Sequence, residues 1–130
     1  MRKMVHVLTR EQIYRFGPAP SLLAPIGMQA WNGLAARGHI HAVYTLVGCP
    51  APLAGSWVLV RRAADGHFEA LATGFAQYDC ASLNLAEIRH LAANLGANEV
   101  HLNSSTASRE DNAAVAAEIA QVEGLEHHVA

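Results

Sequence analysis

Apolar and polar residues alternate in some stretches of this chain and recur every three or four positions in others, and the changes of period mark the elements. Met4 to Leu8, MVHVL, a short apolar run broken only by His6, predicts a short strand. FGPAP at 16–20 ends it, because its two prolines lack backbone donors and fix the chain direction. From Ser21 to Arg37 the spacing is helical. Pro25 and Gly27 interrupt it early, which leaves Met28 to Arg37 as the uninterrupted helix and Gly38 as its left-handed stop. HIHAVYTLV at 39–47 then carries apolar residues on both alternating sets, Ile40, Ala42, Tyr44 and Leu46 on one and Val43 and Val47 on the other. A strand apolar on both faces belongs in the middle of a covered sheet.

Gly48 to Pro52 reads as a loop by the same proline argument, and Gly55 opens a second β-rich run, SWVLVRR. Asp65-Gly66 tolerates positive φ and separates it from HFEALATGF at 67–75, so Trp57 to Phe75 is predicted to form a β-hairpin. Ser82 or Asn84 can cap a helix whose apolar positions are Leu85, Ile88, Leu91, Ala92 and Leu95 and which stops at Gly96. Glu99 to Leu102 predicts a short strand. Ser108, three residues before Asp111, then caps a last helix striped by Val115, Ile119 and Val122 and ending at Gly124. The predicted fold class is α+β: a single small domain over 1–130, with a mixed or antiparallel sheet, a central β-hairpin and two to three helices packed on it. Residues 1–54 form its strand-helix-strand part and 55–126 its hairpin-helix-strand-helix part.

Composition narrows the function. Of 130 residues, 52% are apolar and 15% charged, which excludes a disordered segment. At this length a chain buries roughly two-thirds of its unfolded surface, enough for a core without disulfides or metal. A single lysine, Lys3, and a pI near 6.4 give no broad basic surface, so strong non-specific nucleic-acid binding is not expected. No stretch approaches the roughly 20 apolar residues of a membrane span, and the first residues lack the apolar run of a signal peptide. A cytoplasmic protein without membrane association is expected. Charge is divided along the chain: residues 1–78 hold seven basic residues and three acids, net +4, and 79–130 hold two and eight, net -6. Two halves packed on each other would neutralise the difference; the alternative is a homo-oligomer in which unlike faces meet.

Eight histidines raise the question of a metal. His39 and His41 share one face of a strand, as two ligands would, but no third ligand stands near them in sequence. Glu87-x-x-His90 puts a carboxylate and an imidazole on one helical face without the second copy that di-iron bundles use. No metal ligands are therefore assigned. Cys49 and Cys80 read as two reduced thiols; Asp79 beside Cys80 is expected to raise its pKa, since a carboxylate disfavours the thiolate. The glycines match neither GxGxxG nor the P-loop pattern, and no cofactor is assigned.

From Gly55 onward the order hairpin, helix, strand, helix resembles the GIY-YIG nuclease-like domains. Gly55-Ser56-Trp57-Val58 stands where their first strand motif lies and Ala72-Thr73-Gly74 where the second lies. In that family paired tyrosines, a helical arginine and a late glutamate bind a metal and activate water at a phosphodiester. The resemblance makes Arg89 and Glu118 the counterparts of the last two, while Trp57 and Ala72 or Leu71 occupy the tyrosine positions. LGANEVHLN at 95–103 with DNAAVAAEIAQVEGLE at 111–126 resembles the closing helix, strand and helix of GNAT acyltransferases, although 79–90 carries no glycine for an acyl-CoA pyrophosphate loop. Arg37-Gly38-His39-Ile40 would suit the helix-to-strand turn of a ferredoxin-like sheet. Each resemblance arrives without its catalytic set. The sequence is therefore read as a non-catalytic binding or interaction protein for a protein partner or small molecule. The alternative is an acyltransferase or metal-dependent nuclease in which Arg89 handles an anion, Glu118 a metal or proton, and His90 or His101 acts as base.

Overall fold

The computed structural model describes residues 24–104 and 107–125. The strand expected at Met4–Leu8 and the proline-rich stretch at 16–20 lie outside the described residues. The elements are β1 (Gly27–Asn32), a 3-10 turn (Leu34–Ala36), β2 (Gly38–Thr45), β3 (Ser56–Arg62), β4 (Phe68–Phe75), α1 (Ala81–Leu95), β5 (Glu99–Asn103) and α2 (Arg109–Glu123). The five strands make one sheet in the order β1-β2-β5-β3-β4, with every neighbouring pair antiparallel. The fold is α+β as expected, with an antiparallel rather than a mixed sheet.

Successive strand residues point to opposite faces, and β3 is apolar on both, so both faces need cover. Trp57 and Leu59 meet Ile88 and Ala92 of α1 on one face, together with Val100 and Leu102 of β5. Val58 and Val60 meet Ile119 of α2 on the other, with Trp31, Phe68 and Val115 around them. One helix thus packs on each side. Burying an isoleucine such as Ile88 or Ile119 contributes about 1.5–3 kcal/mol. Among the described residues, no helix is long and apolar enough to cross a membrane.

Local chemistry explains most boundaries. Gly96 and Gly124 end α1 and α2 in left-handed conformations, φ 78° and 68°, and the Ser108 hydroxyl accepts from the Asp111 N–H to cap α2. α1 starts one turn earlier than Asn84. Cys80 is its N-cap, and the buried Asn84 side chain instead accepts from Tyr78 N and donates to the carbonyls of Tyr78 and Pro52, tying two loops together.

The helix expected over Met28–Arg37 is not formed. Met28, Trp31 and Leu34 do fall at helical spacing, but the segment pairs with β2 from Gly27↔Val43 to Asn32↔Gly38 and buries Trp31 in the α2-side core. Burial of an indole outweighs the weak intrinsic preference of a ten-residue stretch. Gly38 opens β2 instead of stopping a helix; the left-handed residues are Ala35 and Ala36, both at φ 58°. β2 is not covered on both faces along its whole length, contrary to what its apolar pattern predicts. His41 and Val43 are buried on the α2 side, but on the opposite face Ile40 is 57% exposed, whereas Tyr44 further along the strand packs against the α1-side core.

Candidate functional site

Alternation along β5 sends Val100 and Leu102 to the α1 side and Glu99 and His101 to the α2 side, where they are buried. A chain of polar side chains forms there. Trp31 Nε1 donates to His101 Nδ1 at 3.0 Å, and His101 Nε2 lies 3.0 Å from Glu99 Oε1. Arg62 at the end of β3 grips the same carboxylate twice, Nε to Oε2 at 2.6 Å and Nη2 to Oε1 at 3.2 Å, with both side chains 5% exposed. Its third nitrogen donates to Gly66 O at 3.2 Å, and the guanidinium lies 4.5 Å from the centre of the Phe68 ring. Bidentate geometry and a stacked ring are what an interior ion pair needs to offset desolvation.

Burial works to raise the Glu99 pKa, but hydrogen bonds from His101 and Arg62 outweigh it and hold the carboxyl below its ordinary value. Burial pushes His101 down although Glu99 pulls it the other way. His101 is therefore a neutral imidazole between a donor and a carboxylate. A second buried pair adjoins it: His41 Nδ1 is 2.9 Å from the His39 carbonyl and its Nε2 is 3.3 Å from Ser56 Oγ. A carbonyl only accepts, so Nδ1 carries the proton and the serine donates to Nε2. Burial pushes His41 down to about 4. Serine and imidazole are in the arrangement of an activated nucleophile, yet both are interior, so no substrate reaches them.

The open end of this network is a depression of about 500 Å³ lined by Ile26, Thr45, Arg62, Ala63, Asn98 and Glu99. Its polar groups are already engaged. Asn98 closes on Arg62 in both directions, Oδ1 accepting from Arg62 N at 2.9 Å and Nδ2 donating to Arg62 O at 3.0 Å.

The residues selected from the sequence are not gathered in one place. Arg89 and His90 lie exposed on α1, where His90 Nε2 is 3.3 Å from Asn94 Nδ2. Glu118 lies on α2, on the other side of the sheet, and its Oε1 accepts from Leu34 N at 3.0 Å. The sheet stands between them. His101 is interior and its two ring nitrogens are occupied. His39 and His41 do share a face, and Glu118 approaches that of His39: a Cβ on Gly33 would stand 2.6 Å from Glu118 Oε1 and 2.8 Å from His39 Nε2. Among the described residues no three His, Cys, Asp or Glu side chains group as a metal set.

Both cysteines are free, Cys49 buried and Cys80 exposed. The expectation that Asp79 raises the Cys80 pKa is overturned. Hydrogen bonds from the Ser82 hydroxyl and the Leu83 N–H lower it, and Asp79 is turned toward Arg109, which neutralises it. Sequence reasoning missed the Arg62-Glu99-His101-Trp31 chain. Its one trace is the alternation E-V-H-L, which reads as a strand half exposed to water until α2 is known to cover the polar side. Comparison with protein-family models, curated proteins and solved structures finds no match to this chain.

Proposed function

We propose that this chain is a non-catalytic binding or interaction protein on a degenerate GIY-YIG-like α+β scaffold, working through the exposed apolar side chains of β1 and the start of β2. One observation carries the reading. The polar side chains Trp31, His101, Glu99 and Arg62 are spent on one another in the interior, Arg89, His90 and Cys80 are exposed without converging on Glu118, and Met28, Ala30 and Ile40, neighbours on one sheet face, point outward. Adjacent apolar side chains left exposed on one face are a candidate contact surface. The degenerate scaffold is supported by the element order after Gly55 and by the two tyrosine-equivalent positions, where Trp57 and Ala72 are core residues facing α1.

The test pairs two assays with one variant. Plasmid nicking is expected to be absent over a range of divalent metals, and acetyl-CoA is expected to leave the melting curve in place, although a ligand at a hundred times its Kd would add about 2.7 kcal/mol. Ile40→Asp should keep the fold and release a stoichiometric protein partner. Nicking that disappears in Glu118→Ala, or a rise in melting temperature with acetyl-CoA, overturns the reading in favour of an enzyme.

A further inference from the structure

Resting on that reading, we propose that the partner is a second copy of this chain, joined by antiparallel pairing of β1 with β1 so that two five-stranded sheets become one. β1 is an edge strand, and among the described residues no other strand pairs with its outer side; the outward Ala30 carbonyl accepts from the Gln29 side chain, Nε2 to O at 3.0 Å, a contact that a second strand would displace. Such an edge presents a row of backbone donors and acceptors, which proteins blunt with charge, proline or a bulge. The opposite edge is blunted: β4 carries Glu69, held by Arg61 at 2.8 Å, and a register shift opposite Leu59 and Val60. β1 has none of these devices. Its sequence GMQAWN is without charge or proline, and its pairing with β2 is continuous over six residues.

The same features select the occupant. Gly27–Asn32 and its neighbour Gly38–Thr45 contain no Asp, Glu, Lys or Arg, so two copies meet without like-charge repulsion, and a two-fold contact requires such a self-compatible surface. Directly opposed residues of an antiparallel pair share a face. A two-fold axis through Ala30 satisfies this: Ala30 faces Ala30 of the second copy, and Met28 faces its Asn32. A small residue then lies on the axis, opposite its own copy. Met28, 60% exposed in the single chain, gains a neighbour across the new pair, and the Met28, Ala30 and Ile40 rows of both copies become continuous.

The test is the mass of the full chain in solution, by light scattering and sedimentation from micromolar to sub-millimolar concentration. A species of twice the 13.9 kDa chain is expected. Ala30→Lys places two like charges on the axis and should weaken association about tenfold or more, whereas Leu53→Lys, at an exposed apolar residue elsewhere, should not. Because a lysine in a strand could disturb the fold, a second variant reads the same geometry. Ala30→Cys in a Cys80→Ser background should form an intermolecular disulfide, the spacing of opposed strand residues lying within disulfide reach. A monomer at every concentration, a dimer indifferent to Ala30→Lys, or no cross-link from Ala30→Cys overturns self-pairing. A monomer that binds another protein through Ile40 overturns it while leaving the interaction reading intact; nuclease or CoA activity in a dimer does the reverse.

Discussion

The indole N–H of Trp31 donates to Nδ1 of His101 at 3.0 Å, and that bond decides the protonation of a buried chain reaching from β1 across β2 and β5 to β3. Tryptophan can only donate, so Nδ1 is bare and the imidazole proton sits on Nε2, aimed at Glu99 Oε1. Glu99 in turn receives two bonds from Arg62. Each member has one allowed role. The network acts as a clasp that holds the β1-β2 hairpin to the central strands, which is why an edge segment of weak strand character is fixed in register.

Removing one end of the ion pair tests the clasp. Glu99→Ala leaves the Arg62 guanidinium buried without its counter-charge, a change that costs about 3–5 kcal/mol. Arg61→Ala removes the neighbouring pair with Glu69, whose side chains are 55% and 60% exposed. That exposed pair contributes about 0.2–1 kcal/mol at most. Urea unfolding of both variants should separate them clearly, and similar losses would show that the buried pair has no special weight.

Acid should weaken the fold earlier than its carboxylates alone would require. Between 6.5 and about 4 an unfolded His41 binds a proton that the folded one refuses, and the depressed His101 adds in the same direction. The unfolded state then holds more protons, so stability rises with pH through this window and is lost as pH falls. By the usual 1.36 kcal/mol per unit, His41 alone accounts for about 3 kcal/mol. Glu99, held low, adds its loss only below the ordinary carboxylate range. Urea midpoints at neutral pH and at pH about 5 should show the drop. A flat wild-type profile would refute the account.

What the sequence made legible was local. Asp65-Gly66 and the flanking β-rich runs gave the β3-β4 hairpin, with Gly66 at φ 96°, and Ser108, Gly96 and Gly124 gave helix ends, because each signal acts within a few residues of itself. β1 was lost because its strand state is decided by Trp31 meeting His101 seventy positions away. Arg89 and Glu118 share a helical setting in the sequence, but which face of the sheet each helix covers follows from crossovers that no spacing encodes. The clasp was illegible for the same reason: Arg62 and Glu99 meet only once β3 and β5 are neighbours.

The two thiols should differ in reactivity. Cys80 is exposed and its thiolate is favoured by Ser82 and the Leu83 N–H, whereas burial pushes Cys49 up to about 11. Iodoacetamide is expected to modify Cys80 in the native protein and to reach Cys49 only on unfolding. Ser82→Ala should slow the first reaction by removing the hydroxyl 3.2 Å from the sulfur. Equal labelling of both cysteines in the folded state would contradict the placement of Cys49.

Glycine positions offer a sharper contrast than any charge. A Cβ on Gly74 would stand 2.2 Å from Trp57 Cζ2, and Trp57, paired with it across the β3-β4 ladder, is 1% exposed, so the ring has no open space to enter. Gly38, also in a strand, has nothing within 4 Å of the same added atom. Gly74→Ala should therefore cost about 1–3 kcal/mol or more through overpacking, while Gly38→Ala should be near neutral or slightly stabilising, because alanine narrows the unfolded ensemble. Thermal or urea unfolding of the two single variants measures the difference directly. If Gly74→Ala is as stable as Gly38→Ala, the indole does not lie flat against β4, and the α1-side core is packed differently from the arrangement described.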